Sequence, residues 1–276
     1  MRRAAFLLVL IAGCGSYSPL DSHYNRGVEL YDQGKTADAV REYRLALEDN
    51  PENYRAHYNL AVAYHDLGKK DDAAREYAEV LKLNPENARA RVSLASIRSD
   101  EGKDAEALKL LEEAAAADPH SAFPKESLGA YYERKGDLDR ALAAYRSAAD
   151  IEPDSASAHA GIARLLSRRG AMQDAVAEYD KALAADGSDP ATLLAASEAK
   201  EKVGDLKSAM LLLERALIYI KDRAPLWVRL ARLYESQNRL EDAVSSLWEA
   251  RAIDPENADV RPRLRSLYEK LAAKER

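Results

Sequence analysis

Chemistry needs nucleophiles, titratable pairs or metal ligands, and this chain of 276 residues places few of them usefully. Its one cysteine, Cys14, can form no disulfide within the chain and no thiolate metal cluster, because both need further cysteines or ligands. Five histidines are present, and none forms a ligand pair such as H-E-x-x-H. His23, His57 and His159 recur at multiples of 34 residues, and Trp227 continues the series, so they read as occupants of one packing slot. His120 falls in a turn. The carboxylate pairs Asp71-Asp72 and Glu112-Glu113 are adjacent on solvated helix faces, whereas acid–base catalysis needs carboxylates converging from separate elements. There is no G-x-S-x-G, no Cys–His pairing and no phosphate-cradling glycine loop. These patterns predict no enzyme, no metal and no dissociable cofactor.

What remains for a lone thiol is attachment. Arg2 and Arg3 precede ten apolar or small residues, Ala4 to Gly13. That run is too short for a bilayer span of about 20 residues, and it reads as the n-region and h-region of a signal peptide over 1–13. Ile11-Ala12-Gly13 directly before Cys14 resembles the lipobox of bacterial lipoproteins. The resemblance implies a diacylglycerol on the Cys14 thiol, cleavage before it and acylation of the new N-terminus. Three such chains hold far more firmly than the marginal grip of one. Gly15 after the cysteine resembles the outer-membrane sorting signal, which implies an anchored body on the periplasmic side. Residues 14–19 are then a tether, and Gly15 to Leu20 reach roughly 20 Å at about 3.3 Å per residue. Losing two arginines to cleavage takes the formal charge from −6 to −8. An acidic body of this kind argues against nucleic-acid partners, which call for stripes of Lys and Arg.

The elements that position everything else come from a 34-residue period. Small residues recur as Gly27, Ala61, Ala95, Gly129, Ala163, Ser197 and Ala231, then twelve residues later as Ala39, Ala73, Ala107, Ala141, Ala175, Ala209 and Ala243. A third series runs Ala46, Val80, Ala114, Ala148, Ala182, Ala216, Ala250, and a turn glycine recurs from Gly34 to Gly204, replaced last by Asn238. Facing small residues let two helices approach closely. Four residues after each middle alanine, Tyr43, Tyr77, Leu111, Tyr145, Tyr179, Leu213 and Leu247 fill the gap to the next unit. Prolines such as Pro51 and Pro153 stop the second helix. One unit cannot bury its apolar face alone, so the units must stack.

This pattern resembles the tetratricopeptide repeat. It implies an all-α fold, an α-solenoid wound as a right-handed superhelix, with seven helix-turn-helix units at 20–53, 54–87, 88–121, 122–155, 156–189, 190–223 and 224–257, and a capping helix at 258–276. Ala196 and Lys200 stand in the sixth unit where others tend to have Leu and Tyr, which predicts looser packing there. Ile220 replaces an otherwise polar residue and either forms an exposed docking patch or tucks under Trp227.

The resemblance also places the first helix of each unit on a concave face that grips a partner peptide or helix. The partner positions it implies in the first two units include Tyr24, Asn25, Val28, Tyr31, Asp32, Arg55, Tyr58, Asn59, Val62, His65 and Asp66. Asn25 and Asn59 can donate to and accept from a peptide backbone, and Tyr24 and Tyr58 beside them are the usual hot-spot type. The family's carboxylate-clamp pattern is not met, since Tyr24, Val28, Tyr58 and Val62 stand at its positions. Arg164, Arg168, Arg229 and Arg232 among Glu198, Glu201 and Glu235 suggest a second contact zone for an acidic segment. The lipobox followed at once by repeats resembles pilot lipoproteins that help pilus secretins assemble. The expected function is a non-catalytic scaffold for an envelope protein, alternatively an adaptor for peptidoglycan or polysaccharide machinery.

Overall fold

The computed structural model describes residues 22–274. The signal segment, Cys14 and the tether lie outside the described residues. The chain divides into two compact units, Met1–Ala117 and Asp118–Arg276. In the first, α1 (Ser22–Asp32) pairs with α2 (Thr36–Asp49), α3 (Tyr54–Asp66) with α4 (Lys70–Leu83), and α5 (Ala88–Asp100) with α6 (Asp104–Ala117). In the second, α7 (Phe123–Arg134) pairs with α8 (Leu138–Ile151), α9 (Ala156–Arg168) with α10 (Met172–Ala185), α11 (Pro190–Lys202) with α12 (Leu206–Tyr219), and α13 (Ala224–Ser236) with α14 (Leu240–Ile253). Helix α15 (Val260–Lys274) packs on α14. Within each unit the second helix of one hairpin lies against the first of the next, so the fold is all-α and solenoid-like, as expected.

The small-residue series are what lets the helices nest. All seven middle alanines, Ala39 to Ala243, are sealed from water, and so are Ala61, Ala95, Ala163, Ser197 and Ala231 opposite them. The large residues that follow fill the space these leave. Tyr145 is gripped on both sides: a Cβ on Gly129 or on Gly161 would lie 2.8 or 2.6 Å from its ring. The turns are equally uniform. Gly34, Gly68, Gly102, Gly136, Gly170 and Gly204 have φ between +73 and +86, and Asn238 takes φ 57 in the same place. Each left-handed residue turns the chain so that the next N–H reaches back to a helix carbonyl, as Lys35 does to Leu30 at 2.9 Å and Arg239 to Tyr234 at 2.9 Å. These bonds satisfy carbonyls that a helix end would otherwise orphan. Asn53, Asn87, Ser155 and Asp189 cap the first helices of their hairpins through their side chains.

The interior of the sixth hairpin is closed. Ala196 is fully buried, α12 buries six residues, and Lys200 on α11 reaches across to Asp180 on α10 of the preceding hairpin at 3.0 Å. A long amphipathic side chain has taken the place of a tyrosine there. At the end of α12, Ile220 is half-buried while Ile218 and Tyr219 are 73% and 55% exposed. Trp227 turns its indole N–H to the Lys221 carbonyl at 2.8 Å.

Candidate partner-binding groove

In the first unit, α1 and α3 lie side by side in register. Asn59 Nδ2 donates to the Tyr24 hydroxyl at 3.3 Å, and Tyr31 donates to the Asp66 carboxylate, each across 35 residues. Because both ends of the helices make the same offset, the two run parallel, and equivalent residues form rows across them. Tyr24, Asn25 and Val28 make one set, Tyr58, Asn59 and Val62 the next, Val92, Ser93 and Ser96 the third on α5. All but Ser96 are half-buried. Each tyrosine is held from below, Tyr24 against Tyr43 with ring centroids 6.2 Å apart and Tyr58 edge-on to Tyr77 at 5.8 Å. Rings fixed in this way lose little further freedom when something binds. Arg55 and His65 are exposed, and the Arg55 guanidinium sits 5.9 Å from the Tyr54 ring. Asn59 has one amide hydrogen committed to Tyr24. The bond to Asp66, followed by burial, raises the Tyr31 hydroxyl to about 12.

In the second unit the predicted arginines are balanced within the chain. Arg164 and Arg168 reach Glu133 at 3.0 and 3.3 Å, Arg229 reaches Glu201 at 2.6 Å, and Arg232 reaches Asp259 at 3.2 Å. Burial alone would raise the Glu133 carboxyl, but the Arg164 hydrogen bond, the charges of Arg164 and Arg168, and Tyr145 together hold it below the usual carboxylate range. An acidic segment arriving here has to displace Glu133 rather than meet free cations. Arg229 and Arg232 line a cavity of about 580 Å³ with Glu201, Val228, Pro225 and Asp259.

The histidine slot proves to be more than packing. His23, His57 and His159 each bond through Nδ1 to a glutamate nineteen residues on, Glu42, Glu76 and Glu178, at 2.6 to 2.7 Å. The other ring nitrogen of His57 and His159 meets the carbonyl of Pro51 or Pro153 at 3.0 and 2.9 Å. The sequence carried this signal: the equivalent positions Leu110, Ala144, Leu212 and Ser246 hold no glutamate, and their units hold no histidine in the slot. Glu133, by contrast, gave no sign of being shared by two arginines, since that depends on which rotamers reach across hairpins.

Among the described residues no cluster of three or more His, Cys, Asp or Glu could hold a metal ion, and no helix is long and apolar enough to cross a membrane.

A tetratricopeptide repeat family model matches residues 24–77, 66–122 and 127–190, and a second tetratricopeptide repeat model matches 202–271. No curated protein sequence matches the chain. Among solved structures, a chain of the APC/C hetero-tetramer Cut9–Hcn1 superposes with a TM-score of 0.64 at 18% identity, covering 87% of this chain and 48% of that one. The chain thus spans about half the length of that structure. PilF of Pseudomonas aeruginosa superposes with a TM-score of 0.65 at 16% identity over 76% of this chain and 95% of its own. A tetratricopeptide repeat protein from Parabacteroides merdae gives 0.58 at 17% identity over 90% and 98%. At such identities what is shared is the fold.

Proposed function

The chain belongs to the tetratricopeptide repeat family, and from that premise we propose that it is a lipid-anchored scaffold of the bacterial cell envelope that holds a partner protein against the inner face of its first unit. Repeats of this family generally serve protein–protein interaction rather than catalysis. The observation that carries the reading is the row of half-buried, uncharged side chains on α1 and α3, Tyr24, Asn25, Tyr58, Asn59 and Val62, with the two tyrosines braced by Tyr43 and Tyr77. A surface of rigid aromatics and amides ordinarily marks a binding hot spot. The lipobox-like run before Cys14 supports the anchor, and Gly15 supports the outer membrane. The same arrangement, lipobox and then repeats, favours service to a pilus or secretin-type complex.

Replacing Tyr24, Asn25, Tyr58 and Asn59 together by Ala is expected to abolish capture of the partner from envelope extracts, while circular dichroism stays helical. Retention of every partner by this variant removes the groove reading. Cys14→Ser is expected to release the protein into the soluble periplasmic fraction, and unchanged membrane association removes the anchor.

A further inference from the structure

The proposed groove has three different walls, and they specify the shape of what it holds. Its floor, at nine equivalent positions on α1, α3 and α5, carries Tyr, Asn, Val, Tyr, Asn, Val, Val, Ser and Ser, with no charge. Its first rim is acidic: Asp32, Asp66 and Asp100 are the last residues of the three helices. The opposite rim is basic, with Arg55 and Arg89 exposed in the first turns of α3 and α5.

The helices do not ask for this arrangement. A carboxylate at a helix C-terminus opposes the macrodipole, and a cation at the N-terminus does the same. None of α1, α3 and α5 has an acidic residue in its first turn. Nor does the repeat ask for it, because the position of Asp32, Asp66 and Asp100 is filled in the second unit by Arg134, Arg168, Lys202 and Ser236. Two of the three acids have partial compensation, Asp66 from Tyr31 and Asp100 from Lys70 at 2.6 Å. Asp32 and Arg89 have no hydrogen-bond or ion-pair partner among the described residues. Of the other lysines at the hairpin tips, Lys35 is bonded to Gln33, Lys69 lies 5.8 Å from the Tyr64 ring, and Lys103 pairs with Glu101. A terminal aspartate set against the dipole on three successive helices, with an arginine set against it at the start of α3 and α5, marks a site built for something outside the chain.

We infer that the first unit's groove, if it is the binding surface proposed above, receives an amphipathic α-helix lying across α1, α3 and α5, with its apolar stripe on the tyrosines and valines, a Lys/Arg flank on the Asp32–Asp66–Asp100 rim and an Asp/Glu flank on Arg55 and Arg89. An extended strand presents only two opposite faces, so it cannot meet a floor and two unlike rims together. A helix presents all three. The dimensions agree: Arg55 and Asp66 lie eleven residues apart on α3, about 16 Å at about 1.5 Å per residue, against a helix diameter of about 10–12 Å.

Panning a displayed library of random 18-residue peptides on the full chain, with selection for hits lost on the quadruple Ala variant, tests this. The expected hits have apolar residues at helical spacing bordered by Lys/Arg on one side and Asp/Glu on the other, and they become helical on binding. Asp32→Asn combined with Arg89→Gln is expected to weaken such a hit about fivefold at low salt, the ordinary worth of two exposed ion pairs, and not at 1 M salt, where the Debye length is about 3 Å. The same variant is expected to melt no lower than the parent, since it relieves charges set against the helix dipoles. Groove-dependent hits that are proline-rich or bind extended, or hits indifferent to Asp32 and Arg89, overturn the helix assignment while leaving the groove reading standing. If no hit depends on the four groove residues, the groove reading falls and this inference with it.

Discussion

Gly161→Ala sets two effects of opposite sign against each other. Gly161 lies inside α9, where alanine is favoured over glycine by about 1 kcal/mol. By propensity alone the variant is more stable. The new methyl carbon, however, sits 2.6 Å from Tyr145 Cζ and 2.7 Å from both Cε atoms. The ring is 2% exposed and cannot slide away, because Gly129 backs its other face at a distance that leaves no room. Overpacking of this kind costs about 1–3 kcal/mol. The ring also carries the hydroxyl that donates to Glu133 at 3.2 Å and accepts from Arg164 at 3.4 Å, so displacing it weakens two bonds worth roughly 0.5–1.5 kcal/mol each. The net expectation is a loss of about 2 kcal/mol, read by urea denaturation followed at the helical circular-dichroism band. In a Tyr145→Leu background the obstruction is gone, and the same substitution is expected to become stabilising. If Gly161→Ala raises the stability of the parent chain, the packing around Tyr145 is not what limits α9.

Gly68 has φ +73 and open space where a Cβ would stand, so Gly68→Ala tests backbone strain without a clash. A loss of about 1 kcal/mol is expected from a left-handed cost of about 1–2 kcal/mol less the entropy removed from the unfolded chain, and Gly68→Asn is expected to cost less, as Asn238 at φ 57 indicates. The Glu133 carboxyl is held low in the fold, so its stabilisation is present above the ordinary carboxyl value of about 4.3 and is lost as pH falls from there through its lower folded value. Glu133→Gln should therefore be less stable at neutral pH and show a flatter decline in acid, measured by urea denaturation from pH 7 downward. Tyr31 is raised to about 12, so the stability it contributes is present below about 10 and is lost between there and about 12. Asp66→Asn should move its tyrosinate absorbance back toward the ordinary value, with Tyr31→Phe as the difference reference; an unmoved titration refutes the hydrogen bond.

Much of the candidate groove was legible because it repeats. Tyr24 and Tyr58, and Asn25 and Asn59, occupy equal positions one period apart, and the structure sets them in adjacent rows on α1 and α3. What escaped was pairing between residues that the period does not relate. Asn59 turning toward Tyr24, and Arg164 and Arg168 converging on Glu133, follow from which long side chains can reach across a hairpin boundary. The His–Glu pairs were readable in principle, because histidine and glutamate appear together in the same three units, but recurrence alone looks like packing when only one member is followed.

The order of small, large and left-handed residues by itself determined that this chain forms nested helical hairpins. An alanine that touches a facing helix and a glycine that must turn at positive φ act within one hairpin, and their spacing is visible in the letters. Only the tertiary structure decided which charges meet. Local repetition sets where each backbone runs, but an ion pair depends on the last few bonds of flexible side chains from different hairpins. Thus Arg164 and Arg232 came to be satisfied within the chain, while Asp32 and Arg89 found no partner among the described residues.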